Sequence, residues 1–580
     1  MHLFSVWAPH AERVDLDLGG QLLPMDRDDA GWWRSQVPEA GHGTDYAFRV
    51  DGSEPLPDPR SPWQPDGVHA ASRVFDPSRY AWRDGGWRGL DVRGRVFYEL
   101  HVGTFTPEGT LDAAVERLGH LVDLGVDVVE LMPVAAFPGR WGWGYDGVAL
   151  YAVHEPYGGP EALQRFVDAC HGRGLAVCLD VVYNHLGPSG NYLSRFGPYF
   201  TDHHSTPWGQ AVNLDDTGSE HVRRWIVDNA LRWFTDFHVD ALRLDAVHAL
   251  VDDSDEHLLA QLSRETASRA TDLGRPLSLV AESDLNDPRM VEPVAEGGLG
   301  MTAQWADDVH HAVHALLSGE RQGYYCDFGS TDVLEKVLTR VFRHDGGWST
   351  FRKENWGAPV DPHRHDGHAF LAYTCNHDQI GNRAVGDRPS HYLPPGVLAC
   401  AAALVLTSAF TPMLFMGEEW AASTPWQFFT DHAEPELAEA IREGRRREFA
   451  SHGWSAEQVP DPQDHATRDA SVLRWDELGT APHDRVLDWY RTLIALRAKE
   501  PALASGDLAG VSVEHSHDER WVVVARGDLR VALNLAGEPR DLPLDAPVAE
   551  VLAVWDDGVR VDNDEVLLPG ESVAVLRVAR

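Results

Sequence analysis

Apolar and polar positions along the chain change rhythm twice. Residues 1–90 carry short alternating runs, FSVWAP, RVDLDL, GWWRSQV and TDYAFRV, separated by Gly, Pro and Asp clusters. Strand side chains alternate between two faces, so this period of two predicts a small antiparallel β-sandwich. PLPDPRSPW at 55–63 reads as an extended, proline-stiffened connection, and the segment from there to 90 has no clear period. From 95 onward apolar strands alternate with helical patterns. Strands are predicted at 96–101 (VFYELH), 127–132 (DVVELM), 175–182 (LAVCLDVV), 239–248 (VDALRLDAVH), 277–281 (LSLVA), 300–305, 369–374 and 413–416. Helices are predicted at 111–124, 163–170, 226–237, 255–270, 397–409 and 485–498. Repeated βα units of this number point to a closed parallel (β/α)8 TIM barrel over residues 91–502 rather than an open sheet. Two connections, 186–219 and 307–368, are long enough to be functional rather than filler. The tail returns to β patterning in WVVVARG, LRVALNLA and SVAVLRVA, which predicts a C-terminal β-sandwich over 503–580.

The stretch 239–248 stands out. Ala241, Arg243 and Asp245 share one face of that strand, and Leu242 and Leu244 share the other. The apolar face can pack under helices, whereas the charged face needs compensation, because a lone buried carboxylate is costly. Arg243 is placed to keep Asp245 ionised, the state a nucleophile needs. A structural Arg–Asp pair would explain this spacing on its own, so the other strand ends matter. In such a barrel the active site forms where strands end and loops begin. Asp180 and His185 close the third strand, Arg243 and Asp245 the fourth, Glu282 the fifth, and His377 and Asp378 the seventh. Carboxylates, an arginine and two histidines thus converge on one rim.

Two carboxyl groups flanking a bond, one ionised as nucleophile and one protonated as acid, are the apparatus of a retaining glycosidase. Asp245 suits the nucleophile. Glu282, ending the apolar run LSLVA, suits the acid, since an apolar setting favours the protonated form. Asp378 suits a third group that bonds sugar hydroxyls and steadies positive charge. His185 and His377 are donors of the right size for the same hydroxyls; each taken singly is more often a satisfied structural residue, and it is their joint place on strand ends that favours function.

Composition narrows the partners. A formal charge of −40, from 90 acidic and 50 basic residues, disfavours nucleic acid and anionic membrane and leaves uncharged substrates unaffected. Five cysteines, Cys170, Cys178, Cys326, Cys375 and Cys400, have no CxxC spacing and read as reduced thiols. MHLFSVWAPHAERVDLD shows no basic run, long apolar core or cleavage site, so a cytoplasmic protein is expected. The most membrane-like run, 396–416, is interrupted by Thr407, Ser408 and Pro412 and reads as a buried helix followed by a strand. No metal and no cofactor is expected, because an acid-rich surface does not define ligand geometry.

DVVYNH (180–185), RLDAVH (243–248), AES (281–283) and NHD (376–378) resemble, in order, the four short conserved regions of the α-amylase superfamily, glycoside hydrolase family thirteen. The likeness spans residues from about 95 to 500, and the flanking β-modules resemble those of the superfamily's larger intracellular members. It implies a barrel that cleaves α-glucosidic bonds with retention, Asp245 as nucleophile, Glu282 as general acid/base and Asp378 as transition-state stabiliser. GWGYDGV (142–148), QWADDVHHAVH (304–314), NHDQIGNR (376–383), FMGEEW (415–420) and GRRREF (444–449) are similar to the maltooligosyltrehalose trehalohydrolase branch. Members of that branch cut the α-1,4 bond next to a terminal trehalose unit.

On this resemblance Tyr145 stacks on the glucose in the cleaved subsite, and Asp146, His185, Arg243, His248, His377 and Arg383 also bind substrate. Trp305 and Asp308, with Asp307, His310 and His311 beside them in the long loop region, are expected at the trehalose end; metal binding or a solvated loop are the alternatives there. Cys375 stands where glutamine is expected in this branch, and Leu242 where phenylalanine is commoner. The implied substrates are maltooligosyltrehalose and other α-glucans, with maltooligosyltrehalose synthase as functional partner in trehalose formation. Two competing readings are a branching or debranching enzyme acting through α-1,6 bonds, and a non-catalytic glucan-binding protein. The second draws on the N-terminal sandwich and the 21 tryptophans, among which Trp32 or Trp33 would stack on sugar unless buried in the core.

Overall fold

The computed structural model describes residues 1–206, 209–450 and 458–579. Its centre is a closed barrel of eight parallel strands: β1 (Phe97–Leu100), β2 (Val128–Leu131), β3 (Ala176–Val181), β4 (Ala241–Leu244), β5 (Ser278–Ala281), β6 (Ala303–Trp305), β7 (Phe370–Ala372) and β8 (Thr411–Phe415). Sequential neighbours pair around the ring, and β8 closes it by pairing Met413 with Phe97 of β1. All eight expected strands are present, each within or near its expected range.

Strand alternation explains the barrel's two surfaces. Tyr98, Val129, Leu179, Leu242 and Leu244 point outward into the large core beneath the helices. Phe97, Val128, Ala176, Cys178, Ala241, Val280 and Met413 point inward and fill the amino-terminal half of the interior. Two residues further along, the same inward rows become polar: Phe97 is followed by Glu99, Val128 by Glu130, Cys178 by Asp180 and Ala241 by Arg243. All four of these polar side chains are buried. The register sets Glu99 against Glu130 and Asp180 against Arg243. The barrel is therefore apolar at one end and ionisable at the other.

The aperiodic stretch before 90 has a physical role. Trp87 and Leu90 pack against the interior apolar cluster, which includes Val92; Trp87 also stacks on His171 and donates to Asp240 at 2.8 Å. A segment that plugs a barrel mouth follows the mouth's shape rather than a period. The expected single helix at 111–124 is instead two, Leu111–Val115 and Leu118–Leu124, separated where Glu116 and Arg117 bond to carbonyls three residues back. The connection 307–368 is not a loop throughout. Helix Asp307–Ser318 starts two residues after β6, because Val309, Ala312, Val313 and Leu317 form a buried helical stripe, and helix Thr331–Arg340 follows.

The N-terminal residues form two antiparallel sheets. One joins His2–Trp7, Trp32–Val37 and Asp26–Arg27; the other joins Gln21–Pro24, Val14–Leu18, Asp45–Val50 and Ser72–Arg73. Trp33 is buried and donates to Ala8 O at 3.0 Å, whereas Trp32 is half-buried beside Arg34 and Arg60. The C-terminal residues form a five-stranded and a three-stranded sheet with Val523, Ala532, Leu542, Val566 and Leu576 between them. Among the described residues no helix is long and apolar enough to cross a membrane; the 396–416 run is helix Pro395–Leu406 followed by β8.

Candidate active site

A cavity of about 700 Å³ opens at the polar, carboxyl end of the barrel. Asp245, Glu282 and Asp378 all line it, with Tyr145, Asp146, His185, His248 and His377. Arg243 is buried beneath these acids. One guanidinium nitrogen, Nη1, lies 2.8 Å from Asp180 Oδ2 and 2.9 Å from Asp245 Oδ1, and Nη2 lies 2.8 Å from Glu282 Oε2. The guanidinium also sits 4.2 Å from the ring centre of Trp305, a desolvated cation–π contact from below. A fully buried cation holding three carboxylates is the compensation that the inward face of β4 requires.

Local backbone features aim the three acids. Asp245 follows β4 and accepts from Asn184 Nδ2 at 2.8 Å, while its own N–H donates to Val181 O. Ala246 adopts a left-handed conformation (φ 40°, ψ 51°), uncommon for a residue with a Cβ, and the turn carries its N–H to Glu282 Oε2 at 2.7 Å. Asn376 caps the short helix His377–Gly381: its side chain accepts from Asp378 N, and Gln379 accepts from Asn376 N, both at 2.9 Å. That capping box sets the direction of both His377 and Asp378. Gly144 has φ 103° and a Cβ there would lie 2.3 Å from Pro133 O, so only glycine lets the Trp143–Tyr145 loop fold over the barrel.

Electrostatics follow from the crowding. Burial raises Asp180 to about 7, against the opposing pull of Arg243. Burial also lifts Glu130 well above the carboxylate range, with Glu99 and Asp180 adding to it. Withdrawal from water raises Asp378; His377 works against this and Glu282 adds to it. Burial alone would discharge His377, but Glu99 and Asp378 outweigh it and raise the imidazole to about 10. Glu282 differs from expectation in its setting. An Arg243 nitrogen and the Ala246 N–H face its carboxylate, rather than an apolar surround.

Most of the expected substrate-binding residues come together here. Tyr145 donates to Asp180 Oδ2 at 2.7 Å and stacks on His377, Asp146 lies 3.4 Å from His432, and His185 contacts Tyr145 O at 3.1 Å. Four do not line the cavity, Arg243 among them, buried beneath the acids it holds. Trp305 is buried beneath Arg243. Asp308 points into the protein, where one oxygen accepts from Asn286 Nδ2, Arg343 N and His344 N at 2.9, 2.7 and 3.1 Å. Arg383 is spent on bidentate contacts with Glu320 and Asp387. The causes differ: helix phase turns Asp308 inward, Trp305 is on the interior face of β6, and Arg383 lies past the end of helix His377–Gly381, where Glu320 and Asp387 take it up.

The sequence reading overlooked the far wall, built by Phe137, Trp141, Trp143, Phe428, Thr430 and His432. Its only signal was the density of aromatics in RWGWGY and PWQFF. It also overlooked Asn184 as the partner of Asp245. Exposed rings of Tyr324, Trp348 and Phe351 rise from the 307–368 segment, Tyr324 near enough for Asp307 and Asp378 to act on its phenol. His204, Asp215 and Asp253 offer ligand atoms within 4.8 Å of one another, away from the cavity and with Asp253 exposed.

Comparison with known proteins agrees with this architecture. Family models match residues 71–206 as an alpha amylase catalytic domain, 2–64 as carbohydrate-binding module 48 (isoamylase N-terminal domain), and 506–575 as a domain of unknown function. The chain is 54% identical over 579 residues to a malto-oligosyltrehalose trehalohydrolase of Arthrobacter ramosus, covering 99% of each. It is 52% identical over 581 residues to one from Rhizobium sp. (strain M-11), covering 99% of this chain and 97% of the relative. A solved structure from Salmonella typhimurium, assigned provisionally to the alpha amylases, superposes with a TM-score of 0.91 at 37% identity, covering 100% of this chain and 97% of the other.

Proposed function

The chain belongs to the malto-oligosyltrehalose trehalohydrolase family, and we infer that it hydrolyses the α-1,4-glucosidic bond next to the terminal trehalose unit of a malto-oligosyltrehalose, releasing trehalose. The observation that carries the chemistry is one guanidinium holding Asp245 and Glu282 side by side on the floor of a cavity that Asp378 also lines.

In this reading Asp245, held by Arg243 and Asn184, attacks the anomeric carbon while Glu282 protonates the departing oxygen of trehalose. The glycosyl–Asp245 bond is then broken by water that Glu282 deprotonates, so configuration is retained. Tyr145 presents a ring to the sugar in the cleaved subsite. His185, His248 and His377 face its hydroxyls, and Asp146 joins them from the wall. Asp378 bonds hydroxyls and steadies the oxocarbenium-like charge.

The same reading divides the chain into a carbohydrate-binding-like module (1–90), the catalytic barrel (91–502) and a C-terminal β-module (503–580). Five free thiols favour a reducing, cytoplasmic setting. A 1,1-linked glucan end must be made by another enzyme, so maltooligosyltrehalose synthase is the functional partner required.

Incubating the purified protein with maltotriosyltrehalose tests this directly. Trehalose and an initially α-configured maltotriose are expected by proton NMR. Glucose or maltose as the main product would reject the branch, and preferential attack on α-1,6 bonds of amylopectin would favour the branching or debranching reading.

A further inference from the structure

We propose that Glu99 is a positioning residue for this reaction: from inside the barrel it grips His377 at two points, fixing the imidazole as a double donor that holds Tyr145 in place beneath the sugar. The proposal deepens, and rests on, the hydrolase reading above.

Glu99 points inward from β1 and is completely buried. Its two oxygens serve one residue: Oε1 lies 2.5 Å from His377 Nδ1, and Oε2 accepts from the His377 backbone N–H at 3.1 Å. Ring rotation and helix start are thus fixed by one carboxylate. The opposite ring nitrogen, Nε2, lies 2.8 Å from Tyr145 Oη and 3.5 Å from Asp378 Oδ2. Tyr145 has a single proton, and that proton goes to Asp180 Oδ2, an oxygen that also accepts from Arg243 at 2.8 Å. With its proton committed, Tyr145 accepts from His377 Nε2–H. Nδ1 meets a carboxylate and carries a proton as well. The hydrogen bonds therefore run in one direction, from His377 through Tyr145 to Asp180, and require an imidazolium at their head.

Every group facing the ring fits that state. Glu99 and Asp378 are its nearest charges, Arg243 opposes them, and Trp143, Tyr145 and Trp305 close the remaining sides. Glu130 lies across the β1–β2 pairing from Glu99 and is held neutral, so it does not compete for the ring. Replacing Glu99 by glutamine keeps the shape and removes the counter-charge. The ring then loses a proton in the working pH range, and with it the charged, double-donor state that the carboxylate enforces.

The test compares wild type, Glu99→Gln, His377→Asn and the double variant in trehalose release from maltotriosyltrehalose. Glu99→Gln is expected to lower kcat about 10- to 100-fold with KM changed less than about threefold. The basic limb of its kcat–pH profile is expected to move down by about 2 pH units. Because Glu99 acts through His377, the double variant is expected to be no slower than His377→Asn. A Glu99→Gln enzyme with wild-type rate and profile overturns the proposal, as does a loss that multiplies in full with that of His377→Asn. Should Glu99→Gln not fold, Glu99→Asp takes its place: the charge stays but the two-point grip is lost, so a lower kcat at unchanged KM is expected, and a wild-type rate overturns the proposal. If wild type releases maltose or glucose instead of trehalose, the trehalose reading fails, while the same four-way comparison on that product still tests Glu99.

Discussion

Two clusters of acids, histidines and an arginine lie close together in the barrel and have opposite fates. The first joins Asp180, Arg243, Asp245, Glu282, His377 and Asp378 at the ends of β3, β4, β5 and just past β7. The second joins Asp308, His310, His311 and His314 on helix Asp307–Ser318 with Glu320 and Arg383. In the second cluster the hydrogen bonds close on themselves: His310 meets Thr374 O and Tyr325 Oη, His314 meets Glu320, and Glu320 meets Arg383. In the first, Arg243 binds the acids from below and leaves their outer sides open to the cavity. The histidines diverge accordingly. Glu99 and Asp378 outweigh burial and raise His377 to about 10, whereas burial drives His311 down to about 3. Similar residue types thus give an open site with a charged imidazole on strand ends and a closed scaffold with a neutral one on a helix.

The sharpest way to break that distinction is to change one atom in each acid of the open cluster. Asp245→Asn and Glu282→Gln remove chemistry rather than packing, and each is expected to reduce trehalose release by about 10³-fold or more, at an unchanged melting temperature. Near-normal turnover in either would mean that the cavity's carboxylates do not divide the work as nucleophile and acid.

The contrast also shows what the chain makes legible. The eight strands and the inward row Ala241, Arg243, Asp245 could be read because a period of two fixes which side of a strand faces the axis, whatever the distant partners are. Convergence of Asp245, Glu282 and Asp378 followed from strand ends alone. Asp308 and Arg383 went astray because they were read by nearness in sequence to the rim, while helix phase turned Asp308 inward and Glu320 and Asp387 took up Arg383 beyond its helix's end. The apolar setting inferred for Glu282 failed for another reason. LSLVA describes the strand before it, not the guanidinium and the strained Ala246 N–H that arrive from β4. Glu99 lay unnoticed in FYEL because its partner His377 is 278 residues away. The wall at 428–432 carries no period, as expected of a loop shaped by what it packs against.

A smaller effect of a different kind is expected from the closed cluster. Asp308→Ala leaves the N–H groups of Arg343 and His344 and the amide of Asn286 facing a void. Stability should fall by about 2–4 kcal/mol, since orphaned buried donors lose their full desolvation compensation, while kcat stays within about twofold. Chemical denaturation beside steady-state rates separates the two. A collapse of kcat at unchanged stability would return Asp308 to the substrate site.

The smallest expected effect concerns sign. His311 titrates lower in the folded chain than in the unfolded one, so its contribution to stability is present above the unfolded value of about 6.5 and is lost as pH falls below it. His377 titrates higher when folded, so its contribution is present below about 6.5 and is lost as pH rises toward about 10. His311→Gln forfeits the stack on Tyr324 at every pH but no longer resists protonation. Its deficit against wild type, measured by urea denaturation, should therefore narrow by about 2 kcal/mol between pH 7.5 and pH 5. A deficit that stays constant or widens on acidification would mean that His311 is charged in the folded protein, and the two clusters would then differ in geometry but not in electrostatic state.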